Sequence, residues 1–451
     1  MQFEMSINYY VRGNKGMWAN ESVFYQIYPL GFSGAPWEND GVLESRIRKL
    51  LDWKEHFVKL GITAIYFSPV FESDTHGYNA RDYKKIDVRL GTNEDFKEIC
   101  EELHKSNIKV VLDGVFNHVG RGFFAFQDVL VNRENSRYLG WFNINLGGNS
   151  CYNDNLWYEG WEGNYDLVKL NLRNEEVISY LLDAVKYWIE YFEIDGIRLD
   201  VAYCLDEEFM RRLRRHCDSL KDEFFLVGEI VHGDYNRLAN DVMLHSVTNY
   251  ECYKGNYSSL NSMNLFEMVH TLLRQFGPEQ WTLYKGKHLL TFVDNHDVSR
   301  IASVLNDERH IYLAFAMMFG MPGIPCIYYG SEWGTKGRKE DGDNNLRLSY
   351  DAPIVNDLTE FIIKLIKIKK ESEALNYGNF ISKHLTNRQC VYLRQSENER
   401  VYVAINADEN HAKIYFNTDS ENVIDLMSGE NFNIRDGLDI AGYGARFLKL
   451  V

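Results

Sequence analysis

No stretch of roughly 18 or more apolar residues occurs, so no membrane-spanning helix is expected. The first 20 residues, MQFEMSINYYVRGNKGMWAN, lack an apolar core and a small-residue cleavage site, so no secretory leader is expected. The seven cysteines, Cys100, Cys151, Cys204, Cys217, Cys252, Cys326 and Cys390, are odd in number and form no CxxC pair. That argues against a disulfide frame or zinc site, and for reduced, mostly buried thiols in a cytoplasm. Positive charge is in deficit, with 49 Lys+Arg against 65 Asp+Glu and a net charge of −16. Such a surface repels nucleic acid and anionic membranes and suits a neutral substrate. The basic run MRRLRRH (210–216) follows an acidic triplet and reads as a solvated helix face. Internal repeats and low-complexity tracts are absent.

What is present is globular composition, 45% hydrophobic, in 451 residues, enough for two or three domains around one large core. Aromatics make up 14%, which fits sugar stacking and equally fits a large core. Eight short apolar runs read as strands: 23–30, 61–71, 108–116, 195–202, 224–230, 244–250, 289–295 and 324–330. Helical windows alternate with them. In 178–193, Ile178, Leu181, Leu182, Val185, Trp188, Ile189 and Phe192 recur at helical spacing, and 355–370 behaves alike. The fold class is α/β, a TIM (β/α)8 barrel over 1–118 and 171–372. A Gly-, Asn- and aromatic-rich insertion, 119–170, is long enough to be functional. After 373 the runs 390–395, 400–406, 413–417 and 445–450 predict a C-terminal antiparallel β-sandwich, with 396–399 as a hairpin turn.

Four segments end predicted strands in polar clusters: LDGVFNH (112–118), GIRLD (196–200), LVGE (226–229) and FVDNHD (292–297). Their carboxylates Asp200, Glu229 and Asp297 are expected at successive strand ends on one rim, where barrel enzymes carry catalytic groups. Paired carboxyls can cleave an acetal, one protonating the leaving oxygen and the other attacking the anomeric carbon or activating water. Arg198, two residues before Asp200 on its strand, points the same way and would keep it ionised.

The set resembles glycoside hydrolase family 13, the α-amylase family. The resemblance implies a retaining α-glucan hydrolase with Asp200 as nucleophile, Glu229 as acid/base and Asp297 as the group that binds sugar hydroxyls and stabilises the distorted transition state. Nearby Asp200 and Asp297 would keep Glu229 protonated near neutral pH. It further implies that His296 assists Asp297, that His118 and Tyr78 (in HGYNARDY) contact the reacting sugar, and that Asp343 and Arg347 (in DGDNNLR) hold sugars deeper in the pocket. Asp113 would hold Arg198. Asn117 matches a calcium ligand of many relatives, so no cofactor is required and Ca2+ is admitted. Insertion 119–170 corresponds to the family's domain B, whose Trp157, Tyr158 and Trp161 read either as sugar platforms or as that domain's core.

Two departures stand out. Typical α-amylases place Lys and His three and four positions after the nucleophile, where this chain has Tyr203 and Cys204. The segment YDLVKLN (165–171) is similar to the MPKLN of the neopullulanase/cyclomaltodextrinase subgroup. Its N-terminal β domain and the dimer that domain supports are not expected, because a strand is predicted from residue 23. The expected partner is an α-glucan oligosaccharide, the expected assembly a monomer or weak homo-oligomer. An α-1,6-glucosidase, a glucanotransferase and a non-catalytic glucan-binding protein remain alternatives, since fold does not fix function. Retention predicts Asp200 and Glu229 carboxyls about 5–5.5 Å apart.

Overall fold

The computed structural model describes residues 16–418 and 420–451. Most of the stretch read for a leader, residues 1–15, lies outside the described residues. All eight predicted strands form, shorter than the apolar runs that announced them. They are β1 (Phe24–Ile27), β2 (Ala64–Phe67), β3 (Lys109–Gly114), β4 (Gly196–Leu199), β5 (Phe225–Gly228), β6 (Ser246–Val247), β7 (Leu290–Phe292) and β8 (Ile324–Tyr328). They pair in parallel in the order β6-β5-β4-β3-β2-β1-β8-β7. A Thr248–Leu290 bridge and an Asn249 N–H to Leu290 O bond of 2.8 Å join the outer strands and close the barrel.

The helices pack outside: α1 (Lys49–Leu60), α2 (Asn93–Lys105), α3 (Glu175–Tyr191), α4 (Glu207–Leu220), α5 (Tyr250–Asn261), α6 (Phe266–Phe276), α7 (Ile311–Gly320) and α8 (Asp357–Glu371). Their ends follow local chemistry. Thr92 and Asp95 form a capping box on α2, and the Asn174 side chain accepts from Glu176 N and Val177 N at the start of α3. In α3 the predicted stripe is buried except for Leu182, which is half-buried. The basic face of α4 is tied by surface ion pairs, Arg211 to Glu207, Arg212 to Glu175 and Arg214 to Asp218.

Strand alternation explains how the barrel carries chemistry at one end only. Phe24, Ala64, Val111, Phe225, Leu290 and Ile324 pack as an apolar floor inside the barrel. Two residues further along their strands, Gln26, Tyr66 and Asp113 face the same interior and are buried. Arg198 lies in register with Asp113 on one side and Val227 on the other. The polar layer thus stands one rung above the floor, toward the C-terminal strand ends.

Between β3 and α3 the chain leaves the barrel. Strands His118–Gly120, Gly160–Trp161 and Asn164–Lys169 form a small antiparallel sheet, and Ile144–Asn145 pairs with Trp157–Tyr158. After the barrel come β9 (Asn379–Leu385), β10 (Gln389–Gln395), β11 (Arg400–Asn406), β12 (Ala412–Ile414), β13 (Asn422–Asp425), β14 (Asn431–Asn433), β15 (Leu438–Ile440) and β16 (Gly444–Leu450). They make a six-stranded sheet, β9-β10-β11-β16-β13-β14, and a two-stranded layer, β12-β15. The 396–399 turn joins β10 and β11, with Gln395 opposite Arg400. One face of the large sheet builds the sandwich core with Val391, Leu393, Tyr402 and Leu448; the other joins the barrel core through Tyr392, Val403 and Phe447.

Candidate active site

The strand ends converge on a cleft of about 440 Å³ lined by Tyr78, His118, Asp200, Glu229, Asp297, Asp343 and Arg347, with Trp161, Tyr203 and Tyr250. One expectation needs correction. Asp200, Glu229 and Asp297 follow β4, β5 and β7, not successive strands. β6 intervenes and ends in Thr248–Asn249–Tyr250, contributing a phenol rather than a carboxylate.

Arg198 is the hub. Its Nη1 donates to Asp113 Oδ1 at 2.9 Å and to Asp200 Oδ1 at 2.8 Å, and its Nη2 lies 3.0 Å from Glu229 Oε2. Tyr66 Oη donates to Asp113 Oδ2 at 2.9 Å, and Tyr78 Oη lies 3.2 Å from the same oxygen. Asp113 therefore anchors the guanidinium from below. Each of the other two carboxylates spends one oxygen on Arg198. Asp200 Oδ2 is left toward His118 Nε2, 4.0 Å away. Glu229 Oε1 is left with only a long 3.4 Å contact from Tyr250 Oη.

The backbone after the first carboxylate is strained. Val201 has φ 39°, a region that β-branched residues avoid, and its N–H donates to Glu229 Oε2 at 3.0 Å. The strained turn thereby ties the end of β4 to the carboxylate after β5. Asn295 adds a second tether. Its Oδ1 accepts from Asp297 N at 2.8 Å, which orients the amide, and its Nδ2 donates to Tyr250 Oη at 3.0 Å. Tyr250 has one proton to give, and Glu229 Oε1 stands before it.

Electrostatics follow from three carboxylates around one guanidinium. Burial lifts Asp200 well above the usual carboxylate range; Arg198 opposes this, while Glu229 and Asp113 add to it. Glu229, also buried, faces the same guanidinium beside it. Asp297 is the reverse case. Burial acts against its charge, but His296, then Arg347 and Arg198, hold it well below the usual range. His296 Nε2 is 3.0 Å and Arg347 Nη2 3.1 Å from Asp297, and Arg347 also pairs with Asp343 Oδ2 at 3.0 Å. Gln26 Nε2 donates to His296 Nδ1 at 2.7 Å, which leaves the proton on Nε2. Tyr78 stacks on the His296 ring, centroids 5.6 Å apart, and its hydroxyl meets Nε2.

His118 is 1% exposed, and burial brings its imidazole down to about 3, so it is neutral at pH 7. Asn117 Nδ2 lies 3.1 Å from Nδ1, which leaves the proton on Nε2. That Nε2 has no partner, an idle buried donor beside Asp200. Asn117 Oδ1 is also unpartnered. Calcium takes six to eight oxygens, usually several of them carboxylate. Among the described residues no group of three or more His, Cys, Asp or Glu could hold a metal.

The three insertion aromatics separate. Tyr158 is fully buried against Phe126, ring centroids 4.8 Å apart, and belongs to the insertion's core. Trp161 lines the cleft, 5.7 Å from His118, and Trp157 is exposed with its Nε1 on Tyr165 Oη. Tyr203 lines both this cleft and a neighbouring cavity of about 720 Å³ that also contains Asn117, Lys169 and Cys204. Val201, Gln26, Tyr66, Tyr250 and Asn295 were not singled out from the sequence.

A closed parallel barrel presenting two adjoining carboxyls at one mouth has the equipment of a glycoside hydrolase. Comparison with known proteins narrows this. The family model for the α-amylase catalytic domain matches residues 26–374. A cyclomaltodextrinase from Geobacillus thermopakistaniensis is 31% identical over 442 residues, 92% of this chain and 74% of that protein. Neopullulanase 2 from Thermoactinomyces vulgaris is 32% identical over 417 residues, 86% of this chain and 70% of that protein. The solved structure of a debranching enzyme from Nostoc punctiforme superposes with a TM-score of 0.80 at 27% identity, covering 96% of this chain and 99% of that one. The chain belongs to the α-amylase family of glycoside hydrolases.

Proposed function

We propose that the protein cleaves α-1,4-glucosidic bonds of maltodextrins with retention of configuration, in the manner of a cyclomaltodextrinase or neopullulanase. The supporting observation is Arg198, which engages one oxygen of Asp200 and one of Glu229 and leaves Oδ2 and Oε1 toward the cleft. Glu229, acting as the general acid, gives a proton to the glycosidic oxygen as Asp200 Oδ2 bonds to the anomeric carbon and the leaving sugar departs. Glu229 then takes a proton from water, whose oxygen displaces Asp200 and regenerates both groups. Asp297, kept anionic by His296 and Arg347, receives sugar hydroxyls. The idle His118 Nε2–H donates to another hydroxyl, Tyr78 offers a ring face, and Asp343 and Arg347 hold sugars further in.

In this reading residues up to 118 and 171–372 form the catalytic unit, 119–170 one wall of the cleft through Trp161, and 373–451 a supporting sandwich. The protein works as a monomer or weak homo-oligomer. All seven cysteines are free thiols, which supports a reducing cytoplasm. Among the described residues no helix is long and apolar enough to cross a membrane. A glucanotransferase is the second reading, favoured by the large cavity beyond Tyr203, where an acceptor sugar has room.

Chromatography of products from maltohexaose, β-cyclodextrin, pullulan and isomaltose tests the proposal, with wild type beside Asp200→Asn. Short malto-oligosaccharides from wild type alone, released as the α-anomer by NMR, are expected. Equal products from both proteins, or β-anomer release, would sink it. Products longer than the donor would favour transfer, and turnover of isomaltose alone an α-1,6-glucosidase.

A further inference from the structure

The barrel's opposite pole buries positive charge without a counterion. Lys369 stands in the last turn of α8 on the same stripe as Ile362, Leu365 and Ile366, and is 0% exposed. Its Nζ donates to Gly323 O at 3.0 Å and Leu375 O at 2.7 Å. Arg394, near the end of β10, is 1% exposed. Its Nη1 donates to Gly320 O at 2.9 Å and its Nη2 to Gly378 O at 3.0 Å, while its Nε has no partner. Carbonyl dipoles satisfy protons but do not cancel charge, and a buried cation is costly until something does. No carboxylate contributes to the electrostatics of either group among the described residues.

A cavity of about 50 Å³ opens here, lined by Lys285, Lys287 and His288 before β7, Gly323 before β8, Asn376 in the linker and Arg394 of the C-terminal sheet. Lys369 stands directly behind the Gly323 wall. Lys285 is exposed at the mouth. Acids stand at the rim: the exposed Glu21 accepts from Tyr377 Oη at 2.7 Å, and Lys287, whose Nζ donates to Ala239 O at 2.6 Å, faces Asp241 and Asp234. Asn376 Oδ1 is buried without a partner, and turning its amide presents Nδ2 instead. Burial, then Lys369 and Arg394, brings the His288 imidazole down to about 3, as expected beside uncompensated positive charge. A single water needs about 10–15 Å³ of such space, so this cavity accepts one small ion.

We propose that this cavity binds one small inorganic anion, of the size of chloride or phosphate, and that the anion clamps the barrel floor to the C-terminal sheet. It would neutralise Arg394 and Lys369 together. The site lies at the N-terminal strand ends, so it acts on stability and not on the reaction.

The test is calorimetric titration of the intact protein with sodium phosphate, and separately with sodium chloride. Ionic strength is held constant with a bulky organic sulfonate, and Tm is followed in the same series. Saturable 1:1 binding of either anion, with a matching rise in Tm, is expected. Arg394→Gln should weaken it by about tenfold or more and Lys285→Glu by about threefold or more. Activity of Lys285→Glu on maltohexaose should be unchanged. If Arg394→Gln does not fold, the exposed Lys285→Glu and an anomalous bromide peak within the cavity of wild-type crystals carry the test. No saturable response, an equal response to the sulfonate, unchanged affinity in Lys285→Glu, or bromide bound elsewhere would overturn the proposal.

Discussion

The two ends of the barrel carry opposite, unbalanced buried charge. At the mouth, Asp113, Asp200 and Glu229 crowd one Arg198. At the floor, no carboxylate among the described residues contributes to the electrostatics of Lys369 or Arg394. A surplus of carboxylates can be relieved by a proton, and a mobile proton between two carboxyls is what acid/base chemistry uses. The remaining negative charge suits an oxocarbenium-like transition state. A surplus of cations has fewer exits, because arginine does not give up its proton. Burial, then Arg394, pulls the Lys369 ammonium well below its ordinary range, the strain of a buried cation without a counterion.

The comparison breaks most completely at Asp200. Asp200→Asn keeps the shape and removes the nucleophile, so kcat on maltohexaose should fall on the order of 10⁴-fold with glucan binding retained. A fall below about tenfold would mean that the negative pole is structural. Arg198→Met attacks the hub instead. It leaves three carboxylates unpaired and should cost about 3–5 kcal/mol in denaturant unfolding at pH 7. Asp200, lifted above the usual carboxylate range, can protonate, so this deficit should shrink as pH falls. A deficit independent of pH would point to lost packing.

Tyr250→Phe is a smaller and sharper change. It removes the hydroxyl between Asn295 Nδ2 and Glu229 Oε1 and alters nothing else in the constellation. A donor to a carboxylate favours its anion, so losing it should move the alkaline limb of the kcat/KM profile to higher pH, with a severalfold fall in rate. Asp200, Arg198, Tyr66 and Tyr203, which also face Glu229, are untouched. An unchanged limb with the same fall in rate would reduce Tyr250 to a wall of the cleft.

This difference between the poles also marks where sequence reading stops. The eight strands were legible because both-face burial writes itself as apolar runs. The mouth was legible because strand-end polar clusters interrupt those runs, and the α-amylase-type motifs resolve their order. Strand edges were not, since β6 keeps only Ser246–Val247 of its seven-residue run. Nor were β9, β13, β14 and β15, which are short or carry little alternation. Tyr250 and Asn295 escaped because their meeting depends on a contact 45 positions apart. The floor was hidden more deeply. Lys369 reads as one more lysine in the basic turn KIKK and Arg394 as a polar strand end. The signal that could have found Lys369 is its position on the α8 stripe, seven residues after Ile362, where an apolar side chain is expected.

The smallest expected effect distinguishes the poles by titration. His118 at the mouth and His288 at the floor are both brought down to about 3. In the unfolded chain each would titrate near 6.5, so the unfolded state binds the extra proton first as pH falls. Their contribution to stability is therefore complete above about pH 6.5 and is lost progressively toward pH 3. For fully buried His118 the slope is at most about 1.4 kcal/mol per pH unit; for half-buried His288 it is smaller, because solvent screens it. His288→Gln and His118→Asn should each flatten stability against pH across this window in chemical unfolding series. Phosphate should then divide them. With an anion beside Lys369, Arg394, Lys285 and Lys287, His288 can keep its proton in the folded state, and wild type and His288→Gln should converge. His118 faces His76, Asp166 and Asp200, beyond reach of that anion, so its variant should stay apart from wild type. Equal convergence of both variants would mean that phosphate acts on the whole chain and not at the floor.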